Sequence, residues 1–206
     1  MQKKRLLKLG LMILIILLFL IAIILSIYEK QWVSFLIAIV GLFSVFLPTL
    51  LEKRFKIDIA EGLEIIVLIF LYSYFYLGEY LDFFYRIWWW DILLHGIGLF
   101  LVGLFSFYIV YALNRKKSIA VKLSAFFVAL FAFCFALSIG VLWEIFEFLM
   151  DSLFNLNMQK SGLVDTMSDL IIGSFGAFIA SVLGYVYMKR DTNRFYRRIR
   201  GWVKAL

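Results

Sequence analysis

The sequence predicts an all-α fold, a polytopic transmembrane bundle of about six helices with both termini in the cytoplasm. Three observations lead there. First, 65% of the 206 residues are hydrophobic and 19% aromatic, with a mean hydropathy of +0.97, well outside the range of ordinary soluble domains. Second, residues 9–28, 31–51, 92–113, 123–143 and 170–188 contain no Asp, Glu, Lys or Arg, and each run approaches the roughly 20 residues that cross a bilayer as a helix. A sixth run, 65–78, is shorter between Glu64 and Glu79 and spans fully only if its ends reach into the interface. Third, for six helices, eighteen of the 21 basic residues fall on one face, and only Lys30, Arg86 and Lys160 on the other. That is the positive-inside pattern, and it also separates the +7 charge from a nucleic-acid partner.

The chain reads as one integral membrane domain over 1–206, with scaffold helices in 1–60, a third helix and aromatic interfacial segment in 61–90, three helices carrying polar groups in 91–188, and a basic tail in 189–206. The first run follows Lys3, Lys4 and Arg5, is too long for a signal-peptide core and lacks an A-x-A cleavage pattern, so it is expected to remain as a helix. The first two spans have almost no polar side chains beyond Ser34, Ser44 and Thr49, and Pro48 marks a kink or an end. Glu61 and Glu64 open the third span, where acids suit the positive end of a helix without any further role. The segment EYLDFFYRIWWW that follows is too polar to cross, and Trp88, Trp89 and Trp90 form a belt at the outer interface. Cys134, the only cysteine, lies within an apolar run and reads as a packing or lipid-facing residue. In the tail, Phe195, Tyr196 and Trp202 alternate with basic residues, which suits the anionic inner leaflet.

The ionisable residues within the last three spans require a different account. Asp91 and His95 are four apart and share a helical face, so the acid can orient the imidazole. Glu144, Glu147 and Asp151 follow at intervals of three and four, with Glu144 about 10 Å below Asp151 at 1.5 Å per residue. Asp165 suits a helix cap and Asp169 lies one turn further on. Gly173 with Ala177, and Gly176 with Ala180, permit close helix contact. Because the fourth and sixth spans enter from outside and the fifth leaves toward it, the predicted topology collects Asp91, His95, Glu144, Glu147, Asp165 and Asp169 near the outer leaflet. A charge at bilayer depth costs about 2.5–3.5 kcal/mol on insertion scales. Crowded carboxylates therefore need protons, cationic partners or a metal ion.

Oxygen donors with one imidazole suit Mg²⁺, Mn²⁺ or Ca²⁺, with Zn²⁺ or non-haem iron as alternatives. H-E-x-x-H, nucleophile-elbow and P-loop signatures are absent from the sequence. The motif order, D-x-x-x-H opening one helix, E-x-x-E closing the next and D-T-x-x-D-L opening a third before small residues, resembles the YjdF-like family of bacterial membrane proteins and, more loosely, VanZ-like proteins. The resemblance covers about 88–184 and implies a polytopic bacterial membrane protein, with Asp91, His95, Glu144, Glu147, Asp165 and Asp169 carried over by motif position. The VanZ-like likeness adds an envelope setting, although Glu147 and Ile172 stand where that pattern has polar amides.

Three functions follow as expectations. One is an enzyme of the bacterial cytoplasmic membrane acting at the outer leaflet on a lipid or envelope precursor, with a metal on Glu144, Glu147, Asp165 and Asp169 and with His95, oriented by Asp91, as acid or base. The second is a proton- or cation-coupled transporter using the same acids, and the third a non-catalytic membrane partner whose acids lock the helices together. The sequence does not decide whether the protein is an enzyme.

Overall fold

The computed structural model describes residues 2–55, 61–115 and 122–203, with side chains described for 6–54, 61–115 and 122–190. The side chains of Lys3, Lys4, Arg5, Lys56, Lys116 and Lys117, and of the tail from 191 onward, lie outside the described residues, as do the tail's predicted leaflet contacts. All regular structure among the described residues is helical. The elements are α1 (Gln2–Tyr28), α2 (Trp32–Ser44), α3 (Leu47–Phe55), α4 (Glu61–Tyr72), a π-helical continuation Ser73–Tyr80, α5 (Phe83–Arg86), α6 (Trp90–Asn114), α7 (Ala125–Phe154) and α8 (Leu163–Val203). Five stretches are long and apolar enough to cross a membrane: Leu6–Tyr28, Glu61–Tyr80, Trp90–Asn114, Ala125–Phe154 and Leu163–Arg190. The bent pair Trp32–Ser44 and Leu47–Arg54 makes a sixth if counted as one span, with a 43° break just before Pro48.

The chain divides within α6 into two compact units, Met1–Leu94 and His95–Leu206. In the first, Ile15, Phe19 and Ala22 of α1 pack with Ala38 of α2, Val45 and Leu68 of α4. Phe19 occupies the space over Gly41, where an added Cβ would come within 2.3 Å of its ring. The short third span gains its length from the π-helical segment, which makes Glu61–Tyr80 one continuous 20-residue stretch. Along that segment Tyr72, Tyr76 and Tyr80 stack at 5.2 and 5.5 Å between centroids. The polar connector then turns sharply at Asp82 (φ 60°) into the single turn of α5, whose Phe84 covers Gly78. Glu64, in the first turn of α4, is only 2% exposed and forms an ion pair with Lys8 of α1, so the carboxylate at this helix start is also a tie between two helices.

The second unit contains the rest of α6 with α7 and α8. Ser124 caps α7, its Oγ accepting from the Phe127 N–H at 3.2 Å. The chain leaves α7 through Asn155 in the left-handed region (φ 56°) and re-enters helix after Gly162 (φ 60°). Both turns use residues that tolerate positive φ. Asp151 holds this connection: its carboxylate oxygens accept from the Met158 and Gln159 N–H groups at 2.7 and 2.8 Å. Gln159 in turn donates to Thr166 Oγ1 at 2.7 Å. Replacing Asp151 with alanine strands two backbone donors and is expected to lower stability by about 2 kcal/mol, read as a drop in melting temperature and faster proteolysis between α7 and α8. An unchanged protease pattern would contradict this role.

Candidate functional site

Helix register in the second unit is set by size complementarity. Leu99 of α6 projects between Gly140 of α7 and Gly173 of α8; a Cβ on either glycine would lie 2.6 or 2.5 Å from Leu99 Cδ1. One turn away from this layer, on each helix, stands an ionisable residue: His95 four before Leu99, Glu144 four after Gly140, and Asp169 four before Gly173. The apolar layer thus fixes the height of the polar one. Further along the same seam, Ala136 and Ala177 are fully buried beside Leu99, and Phe107 lies over Gly184. Helices α6 and α8 touch backbone to backbone, with Gly176 packed on the Gly96 carbonyl.

Within the polar layer the imidazole of His95 stands between two carboxylates. Its Nδ1 is 3.5 Å from Glu144 Oε1, and its Nε2 is 3.9 Å from Asp169 Oδ2. Glu144, Glu147 and Asp169 are 5, 6 and 2% exposed. One ligand-capable atom each from His95, Glu144 and Glu147 lies within 4.8 Å of the others. Glu147 is held from its own helix, where the Trp143 Nε1–H donates to Glu147 Oε1 at 2.8 Å.

The remaining acids that the sequence singled out are Asp91, Asp165 and Asp151. Asp91 is buried in the first turn of α6, one turn before His95 on the same continuous helix. Asp165 is half-buried in the first turn of α8 and is not among the residues whose ligand atoms meet within 4.8 Å. Asp151, at the end of the α7 acidic face, is engaged by the loop backbone. Two partnerships are additions to the sequence reading. Trp143 lies four residues before Glu147, a spacing that signals side-chain contact along a helix; Lys8 and Glu64 are 56 residues apart and give no local signal.

Chemically, the layer sets three carboxyl groups and one imidazole in a desolvated setting. Burial penalises uncompensated charge of either sign, so groups in such a layer need compensating partners.

Comparison with known proteins yields a family and a relative. The family described as "Predicted membrane protein (DUF2238)" matches residues 9–190, which include every residue of the polar layer. An "Uncharacterized protein" of Thermotoga maritima is 32% identical over 156 residues, covering 75% of this chain and 77% of the relative. No solved structure matches the chain.

Proposed function

The chain belongs to the membrane-protein family DUF2238, and on that premise we propose that this multi-pass protein carries an intramembrane divalent-metal centre on His95, Glu144 and Glu147 and acts as a metal-dependent hydrolase or transferase on a lipid or lipid-linked envelope precursor. The observation that carries the reading is the convergence of one nitrogen and two carboxylate oxygens within 4.8 Å from two helices, in a buried layer. A bound ion would activate water or polarise a phosphoryl or acyl oxygen.

The protein's own residues supply the rest. With His95 Nδ1 turned toward Glu144, its Nε2 faces Asp169, so the ring stands between two carboxylates. Asp91 and Asp165, in the first turns of α6 and α8, are the nearest acids by helix position for receiving or delivering protons. The positive-inside charge distribution supports a layer facing the extracytoplasmic side of a bacterial cytoplasmic membrane and a basic tail on the anionic inner leaflet. The looser VanZ-like motif order supports an envelope setting.

The bracketing of His95 by Glu144 and Asp169 also favours a second reading, proton- or cation-coupled transport. A relay would have to continue along α8, where Ser174 and Ser181 donate to their own helix's carbonyls, Leu170 O at 2.6 Å and Ala177 O at 2.9 Å. Those hydroxyl protons are engaged by backbone, and the enzyme reading is the better supported.

The test is the divalent-metal content of the detergent-purified protein by mass spectrometry, in wild type and in a Glu144→Gln/Glu147→Gln variant with intact helical circular dichroism. Stoichiometric metal is expected in wild type and loss of it in the variant. A metal-free wild type that remains so after incubation with Zn²⁺ and Mn²⁺ overturns the metal reading, and proton flux in proteoliposomes then decides on transport. A variant that unfolds while wild type holds no ion favours a purely structural polar lock.

A further inference from the structure

The depth of the polar layer follows from where charge stops on the three helices of the second unit. From His95 to Asn114 on α6 and from Ala125 to Glu144 on α7 there are nineteen residue steps, and from Asp169 to Arg190 on α8 twenty-one. At 1.5 Å per residue each stretch is about 28–32 Å long, the thickness of a bilayer's hydrocarbon core. Arg115, Lys122, Lys189 and Arg190 mark one end, and residues 96–114, 123–143 and 170–188, between that end and the layer, contain no Asp, Glu, Lys or Arg. Beyond the layer, Asp151 on α7 and Asp165 on α8 stop the core from extending further. Three helices therefore agree on a layer at the edge of the hydrocarbon, opposite the basic end. Trp143 fits this boundary: half-buried, it points its Nε1–H at Glu147 while its ring packs on Phe146, the amphipathic placement that membrane interfaces favour.

We infer that the polar layer works at the junction between the heads and chains of one leaflet, so that the bond it acts on is the carboxyl ester or phosphate ester joining a lipid's head to its chains. The inference rests on the enzyme reading above and deepens it by naming the reacting bond of the substrate. Lipid esters and phosphates lie at this depth, just outside the hydrocarbon. Leu142 and Ile145 on α7 and Ile171 on α8, at the same height, are exposed apolar side chains, which brings lipid alongside the helices that hold the buried carboxyl groups. Helix α7 runs ten residues past Glu144, about 15 Å, which carries the 155–162 connection beyond the phosphates and leaves the sugar or peptide parts of a larger head out of reach of the layer. In hydrolysis at the junction, the oxygen of water bonds to the acyl carbon or the phosphorus, the bond from that atom to the bridging oxygen breaks, and a proton of the water ends on the bridging oxygen. A coupled-transport site, by contrast, belongs near the midplane.

The experiment is electron paramagnetic resonance of nitroxide labels on single cysteines at exposed positions of α7, Phe126→Cys, Phe135→Cys, Ile145→Cys and Leu153→Cys, each in a Cys134→Ser background, in vesicles of phosphatidylethanolamine and phosphatidylglycerol without added metal. Collisions with oxygen, which concentrates in hydrocarbon, and with a water-soluble nickel complex give the depth of each label. Phe135→Cys should be deepest, about 15 Å from either boundary, with Phe126→Cys and Ile145→Cys equally shallow and Leu153→Cys in water. Matching Ile145→Cys to lipids labelled on the head or on the first part of the chain assigns the phosphate ester or the carboxyl ester respectively. A depth that still increases from position 135 to 145, which puts the layer near the midplane, overturns the inference, as does a label at 145 as open to nickel as that at 153. Either result leaves metal binding by the layer standing. A metal-free wild type removes the enzyme reading and, with it, the assignment of a reacting bond, whatever the depth profile.

Discussion

Gly176→Ala is expected to destabilise the protein strongly, although it adds a single methyl group to a helix. The new Cβ would lie 2.1 Å from the Gly96 carbonyl oxygen, 3.1 Å from its carbon and 3.2 Å from the Phe100 nitrogen. All three are backbone atoms, so no side-chain rotation relieves the clash and α8 has to move away from α6. Overpacking of this kind costs about 1–3 kcal/mol. It outweighs the roughly 1 kcal/mol that alanine normally gains over glycine in a helix interior. The displacement also reaches the polar layer, because Asp169 stands two turns from Gly176 on α8 and His95 immediately precedes Gly96 on α6. Thermal unfolding in detergent, followed by circular dichroism, should therefore show a clear drop for Gly176→Ala. Gly10→Ala and Gly62→Ala, where nothing lies within 4 Å of the added atom, should melt at or above wild type. Equal melting of all three variants would mean that α6 and α8 do not touch at Gly96.

Lys8→Met is expected to have the larger effect, about 3–5 kcal/mol, because it leaves the Glu64 carboxylate in a setting where it is 2% exposed. The reverse substitution is milder. Glu64→Gln leaves a lysine whose side chain is 20% exposed and whose flexible stem reaches toward water. Replacing both partners with apolar residues, as Lys8→Met/Glu64→Leu, should recover most of the loss, since a buried ion pair contributes little beyond the absence of an uncompensated charge. The check is chemical denaturation of the four proteins in one detergent. A Lys8→Met protein as stable as wild type would show that Glu64 does not depend on this lysine.

The comparison of sequence with structure turns on which properties are local. Helices and spans were legible because an uninterrupted apolar run needs no distant partner to be helical in a bilayer. The break at Pro48 was legible for the same reason, since a proline removes a donor wherever it stands. So were the small residues of α8: Gly173, Gly176, Ala177 and Ala180 stood out by spacing, and they do face α6, with the Gly103 position also meeting Ala180. The length of the third span was not legible, because its completion through Ser73–Tyr80 uses a π-helical winding that the apolar pattern does not announce. Ser26, buried in α1, was passed over because a single serine in a long apolar run gives no signal of its environment.

For the candidate site, the sequence by itself determined the chemistry available: an imidazole and a set of carboxylates on three consecutive helices, brought to one level by their alternating direction. Only the tertiary structure decided how those groups divide. Glu144 and Glu147 converge on His95, Asp169 takes the other face of the imidazole, Asp165 stays in the first turn of its helix, and Asp151 is drawn off to hold a loop. The physical reason is rotation and register. Residue spacing states which side chains share a face of one helix, whereas the angle at which that face meets the next helix depends on Leu99 fitting between Gly140 and Gly173 and on Gly176 resting against Gly96.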